Sequence, residues 1–153
     1  MPGIQAYSEA SGGYSVAAEK LFENRVKKWL ESVGVYAAGT PSQQMKVPQV
    51  GWYLKVWGGG YQKSGIPDLI ICMNGFFMSV ELKAPNGHAS ELQKMNTARI
   101  NQSNGIGIIL FPDGFEQFKE IMKGVIQCRF HIQELNYLRN ALISTSCDMV
   151  TKY

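Results

Sequence analysis

Asp68, Glu81 and Lys83 are the residues of this chain whose types and spacing could do chemistry together. They stand at the outer ends of two β-rich runs, DLIICM (68–73) and FFMSVELK (76–83), separated by Asn74-Gly75. That dipeptide is the strongest short-range hairpin signal a sequence carries. A two-residue loop pairs Met73 with Phe76, Ile71 with Met78 and, by continuation, Asp68 with Glu81. Directly opposed side chains lie about 4.5–5.5 Å apart on one face. Two ionised carboxylates there repel by about 3 kcal/mol at an effective dielectric near 20. At least one of them should then have a raised pKa, and Asp68→Asn should melt higher than the parent when no metal is present. Lys83, two residues beyond Glu81, falls on the same face. A strand-end salt bridge on a solvated face would account for the same three residues. Ile70, Cys72 and Phe77 share their face, however, which predicts a covered surface where unpaired carboxylates are costly. A hard divalent cation bridging the oxygens would remove the repulsion, and Mg²⁺ is held by one or two carboxylates, waters and substrate phosphate. The chemistry this suggests is phosphoryl transfer.

Such a hairpin needs elements to hold it. Its other face, Leu69, Ile71, Met73, Phe76, Met78, Val80 and Leu82, is apolar throughout and predicts full burial. Phe22, Val26, Trp29, Leu30 and Val33 recur at helical spacing from Ser15 to Val33, and Gly34 stands where a helix stops. Residues 1–14 are rich in Gly and Ser and read as a flexible arm, and 35–49 read as a loop. Residues 49–57 alternate as a strand, and 58–65 form a glycine-rich connection. Ser90 with Gln93 makes a capping box that opens a helix to about Ser103. GIGIILF (105–111) reads as a short buried strand, and strand, helix, strand in that order implies a right-handed crossover joining a parallel pair. Helices follow at Phe115 to Met122 and across Phe130 to Ile143, the latter with Ile132, Leu135, Leu138 and Leu142 in a stripe. The expected class is α/β in one domain, with a core at 15–111 and a helical extension at 112–153.

Composition bounds the function. A chain of 153 residues with 45% hydrophobic and 18% charged residues is neither disordered nor fibrous. It has no apolar run near the ~20 residues of a membrane helix and no signal-like start, so no membrane partner is expected. Three cysteines without a CxxC pair predict free thiols in a reducing compartment. Two histidines, His88 and His131, form no ligand pair, and Cys128 with His131 is too sparse for zinc. The net charge of +3 permits a nucleic-acid partner without requiring one. The local pattern is more pointed: Ser32 to Pro67 contains no acidic residue but carries Lys46, Lys55 and Lys63 with Tyr53, Trp57 and Tyr61 among them. Lysines suit phosphate and rings suit an unpaired base.

Gly65-Ile66-Pro67-Asp68 followed by Glu81-Leu82-Lys83 resembles the PD-(D/E)XK signature. The stretch SGIPDLIICMNGFFMSVELKAPNGHASELQ is similar to the VRR-NUC nucleases, the small stand-alone, phage-type and bacterial members related to Holliday-junction resolvases. The likeness extends to Gly87, Ser90 and Gln93 and covers about residues 19–111. It implies a restriction-endonuclease-like core: a helix, three antiparallel strands, a crossover helix and a parallel strand, here with C-terminal helices added. It implies Mg²⁺, with Mn²⁺ able to substitute, held by Asp68, Glu81, the Leu82 carbonyl and a first-helix carboxylate. Glu23 is preferred for that last position, with Glu19 one turn earlier as the backup. Lys83 would orient or deprotonate the attacking water, while Gln93 and Ser90 would position water or phosphate. Lys46, Lys55, Lys63 and Tyr61 would bind DNA. The implied activity is a metal-dependent DNA endonuclease, structure-selective on branched DNA such as a four-way junction or flap. The alternatives are a catalytically idle nucleic-acid-binding or assembly module on the same fold, and a restriction-type duplex endonuclease. A homodimer, and the cytoplasm of a bacterial or phage-infected cell, complete the expectation.

Overall fold

The computed structural model describes residues 5–57 and 65–127. The expectations for 58–64 and 128–153, including Tyr61, Lys63 and the stripe at 130–143, lie outside the described residues. Helix α1 runs from Gln5 to Ser32, so it begins well before Ser15 and takes in most of the stretch expected to be an arm. Ala6, Glu9 and Ala10 are good helix formers, and a helix already nucleated by its packed end propagates through Gly12 and Gly13 at about 1 kcal/mol each. The stop is as expected: Gly34 has φ +88°, and a Cβ there would collide with the Pro48 carbonyl. The Gly34 carbonyl then accepts hydrogen bonds from Val50 and Gly51 at 2.9 and 3.2 Å, which docks the start of the next long strand on the helix end.

Five strands make one sheet in chain order, β1 (Val35–Ala37), β2 (Gly51–Lys55), β3 (Leu69–Met73), β4 (Phe76–Leu82) and β5 (Ile106–Leu110). β1 lies parallel to β2, β2–β3–β4 are antiparallel, and β5 lies parallel to β4. Strand β1 falls inside the expected loop; three residues are too few to show a period. The hairpin register is the expected one, with Met73 opposite Phe76 and Leu69 opposite Val80. Asn74 at φ +49° and Gly75 at φ +79° form the turn, a left-handed pair that Asn-Gly tolerates. The chain crosses from β4 to β5 through α2 (Glu91–Gln102), with the Ser90/Gln93 capping box in place. Asn101 grips the outer strand, accepting from the Gly107 N–H at 2.7 Å and donating to its carbonyl at 3.2 Å. Helix α3 (Phe115–Gln127) follows, and Asn74 donates to its terminal carbonyls at Val125 and Ile126. No helix of the described residues is long and apolar enough to cross a membrane.

The two sheet faces differ. Phe22, Val26 and Leu30 of α1 and Phe115, Phe118 and Met122 of α3 close one face over Leu69, Ile71, Met73, Met78, Val80 and Leu82. Each large side chain buried there contributes about 1.5–3 kcal/mol. Phe76, expected within this core, is 38% exposed because it sits at the hairpin tip. The other face is less covered than its residue types suggested. Cys72, a free thiol, and Phe77 are exposed, and Ile70 is half-buried. This face is buried at its far end, at Ser79 and Glu81, and at Tyr36 of β1. β5 is likewise half-buried except at Leu110, since α2 carries no fully buried residue.

Candidate active site

β1, β2, β4 and β5 run in one direction and β3 in the other, so the C-terminal ends of the four and the start of β3 lie at one end of the sheet. Lys55, Asp68, Glu81 and Lys83 are all carried there. The ladder stops at Leu69–Val80, one pair short of Asp68. The Asp68 carboxylate takes over the next ladder position itself: its Oδ2 accepts the Leu82 N–H at 2.9 Å, and its Oδ1 accepts from Lys55 Nζ at 3.0 Å. Leu82, expected to offer its carbonyl, thus donates its N–H to Asp68 while its side chain fills the core.

Helix α1 brings Glu23 to the same place. Its Oε2 lies 3.3 Å from Lys55 Nζ, so one ammonium joins Glu23 to Asp68. Its Oε1 accepts from Lys20 and Lys27 at 3.0 and 2.8 Å, one helical turn to either side. Glu23 is buried, which by itself would raise its pKa, but hydrogen bonds from Lys27 and Lys20 and the charge of Lys55 outweigh burial and hold the carboxyl at about 2. Lys55 is shifted upward: its burial opposes the charged form, and Asp68 and Glu23 overcome it.

Glu81 is equally buried and behaves in the opposite way. Lys83 donates to its Oε1 at 2.8 Å, and Gln93 Nε2 donates to the same oxygen. Burial still pushes its pKa up, and the charges of Asp68 and Glu19 push in the same direction. The Asp68 charge thus helps to raise the Glu81 pKa, as the hairpin register predicts. Asp68 has its own counter-ion in Lys55, so Asp68→Asn loses an ion pair and should melt lower than the parent, not higher as the hairpin register alone implies. The choice between Glu19 and Glu23 also takes a new form, because Glu23 reaches Asp68 through Lys55 while the charge of Glu19 acts on Glu81.

Gln93 does two things at once. Its Oε1 accepts the Ser90 N–H at 2.8 Å in the capping box while its Nε2 holds Glu81, so the helix start and the site are set by one side chain. Ser90 caps through Oγ, which accepts the Gln93 N–H at 3.2 Å. A cleft of about 210 Å³ opens beside Glu23, lined by Lys20, Lys27, Tyr53, Lys55 and Trp57 among others. Trp57 is 77% exposed there, whereas Tyr53 is buried with its hydroxyl donated to Glu31 at 3.0 Å, so only the tryptophan offers a free ring. Burial and the Glu31 carboxylate raise the Tyr53 pKa. Lys46 is exposed on the β1–β2 connection and makes no hydrogen bond or ion pair to the carboxylates among the described residues. Sequence reasoning missed Lys20 and Lys27, although their spacing of three and four residues from Glu23 was the available signal. Among the described residues, no group of three or more His, Cys, Asp or Glu side chains stands close enough together to hold a metal ion by itself.

The chain matches no protein-family model, no curated protein and no solved structure.

Proposed function

We propose that this chain is a metal-dependent DNA endonuclease of the PD-(D/E)XK type, resembling the VRR-NUC nucleases, that hydrolyses phosphodiester bonds in branched DNA. The observation that carries this reading is the meeting of Asp68, Glu81 and Lys83 at one sheet end with Glu23 of α1, three carboxylates interleaved with ammonium groups. These carboxylate oxygens are hard donors, and Glu23 and Asp68 already share a positive charge, the Lys55 ammonium. Such oxygens suit Mg²⁺ or Mn²⁺, which needs only one or two protein carboxylates, with waters and phosphate completing the coordination. Two of Asp68, Glu81 and Glu23 would hold it directly, and when bound it supplies activation of water and neutralisation of the phosphate. Lys83, fixed by Glu81, orients the attacking water and stabilises charge on the pentacovalent phosphorus. Gln93 keeps Glu81 in position from the start of α2. Lys20, Lys27 and Trp57 around the cleft suit a sugar–phosphate strand with an unpaired base, which favours a branched substrate over an intact duplex.

The test is cleavage of end-labelled four-way junction, flap, single-stranded and duplex DNA, with Mg²⁺, Mn²⁺ or EDTA. Metal-dependent cutting of the branched substrates, lost in Asp68→Ala, is the expected result. Metal-independent binding without cutting would favour an idle DNA-binding module, and preferential cutting of duplex DNA at one sequence would favour a restriction-type enzyme.

A further inference from the structure

Lys55 occupies an unusual position for a surface-type residue. It lies on the core side of β2, opposite Leu69 and in alternation with Tyr53 and Gly51, with its side chain 21% exposed. Its stem runs along the apolar face and its ammonium emerges at the sheet end. There it stands 3.0 Å from Asp68 and 3.3 Å from Glu23, residues brought from the start of β3 and the middle of α1. The shared ammonium offsets the repulsion between the two carboxylates. Each also has a second support that does not depend on Lys55: Glu23 keeps Lys20 and Lys27 on its other oxygen, and Asp68 keeps the Leu82 N–H. The ammonium can therefore leave without stripping either group of all its partners. Beside it lies the cleft of about 210 Å³ that Lys20 and Lys27 also line.

We propose that Lys55 is a stand-in for the divalent cation, holding Glu23 and Asp68 together until the metal takes its place and then turning its ammonium into the cleft to bind phosphate. This rests on the nuclease reading and adds a coupling to it. Metal entry releases a cation onto the DNA, so metal and DNA strengthen one another's binding by the same factor. It also means that Lys55 competes with the metal, lowering the fraction of molecules ready to receive it.

Removing the competitor should therefore tighten metal binding in the absence of DNA. Mn²⁺ titrations followed by electron paramagnetic resonance on the full chain, Lys55→Met and Asp68→Asn supply the test. Lys55→Met keeps the unbranched apolar stem and removes the charge, and about fivefold or greater tightening is expected, in a site that Asp68→Asn abolishes. Binding that depends on Asp68 but is unchanged or weaker in Lys55→Met overturns this inference and leaves the nuclease reading standing. Absence of any Asp68-dependent Mn²⁺ site overturns both. Should Lys55→Met fail to fold, acetylation of the unaltered chain by a water-soluble acetyl ester, read by mass spectrometry, decides alone. Lys55 is expected to react faster with saturating Mn²⁺, and an unchanged rate overturns the inference.

Discussion

Glu23 and Glu81 are 6% and 4% exposed, lie at the same end of the sheet, and are pushed in opposite directions on the pH scale. Burial disfavours ionisation at both. What separates them is the company each keeps: Glu23 faces three ammonium groups, whereas Glu81 has one, a neutral amide and the charges of two other carboxylates. Desolvation raises the pKa of both carboxyls, and at Glu23 the surrounding ammonium groups reverse that outcome. The site is thus electrostatically divided, with a cation-rich half built on α1 and β2 and a cation-poor half built on β4 and α2.

The largest effect that bears on this division is on cleavage. Asp68→Ala, Glu81→Ala and Lys83→Ala should each lower the cleavage rate by about 10²-fold or more with DNA binding retained, as expected for groups that act in the transition state. Any one of them cutting near the parent rate would remove that residue from the site. Glu23→Gln and Glu19→Gln, assayed side by side, decide which helix carboxylate serves the chemistry. A larger loss in Glu23→Gln keeps the cation-rich half in the reaction, and the reverse transfers the role to Glu19.

A smaller effect is expected on stability. The Glu23 carboxyl is held at about 2, below its ordinary 4.5, so its ion pairs contribute stability that is present above the unfolded value and is lost as pH falls toward 2. Glu23→Gln should cost about 2 kcal/mol near neutrality, a fall of about 4–8 °C for a chain of this length, and the deficit should shrink along that acid limb. Thermal melts between pH 7 and pH 2.5 measure it. A deficit that does not change with pH would assign the loss to packing rather than to charge.

The cation-poor half was the more legible in the sequence, and the reason is local. Asn74-Gly75 fixes the register of β3 against β4 through a two-residue loop, and the Ser90/Gln93 spacing fixes the start of α2; both are short-range signals. The cation-rich half depends on β2 pairing with β3 across a connection whose geometry no short motif encodes, so nothing indicated that Lys55 would lie opposite Leu69 rather than face a phosphate. Strand β1 escaped for a related reason, since Val35–Ala37 gains its order from β2 and not from its own pattern. Asp68 was placed correctly in number but not in partner. A residue just beyond a ladder can turn its side chain into the backbone's place, as Asp68 does with the Leu82 N–H.

Ser90→Ala should cost about 1 kcal/mol, the usual loss for an N-cap, seen as about 2–4 °C in a melt. Because Gln93 shares its amide between the cap and Glu81, the same change should also reduce cleavage modestly. A loss of stability with unaltered cleavage would show that Gln93 holds Glu81 without help from the cap.

The smallest expected effect is the most direct test of the division between the two carboxyls. Glu81 has its folded-state pKa raised by burial and by the charges of Asp68 and Glu19, against the pull of Lys83. A carboxyl of this kind lowers stability above its folded pKa, and the penalty fades as pH drops through that value and vanishes below the unfolded one. Glu81→Gln retains an oxygen to accept the Gln93 amide and the Lys83 ammonium while removing the charge. In EDTA at pH 7 it should melt about 1–3 °C above the parent, a gain under about 1 kcal/mol, and the two curves should converge below about pH 4. Asp68→Asn, which loses the charge that Lys55 balances, should melt lower than the parent under the same conditions. If instead Asp68→Asn were the stabilising variant and Glu81→Gln the damaging one, the uncompensated charge would sit on β3, and the partition of cations between the two halves would have to be redrawn.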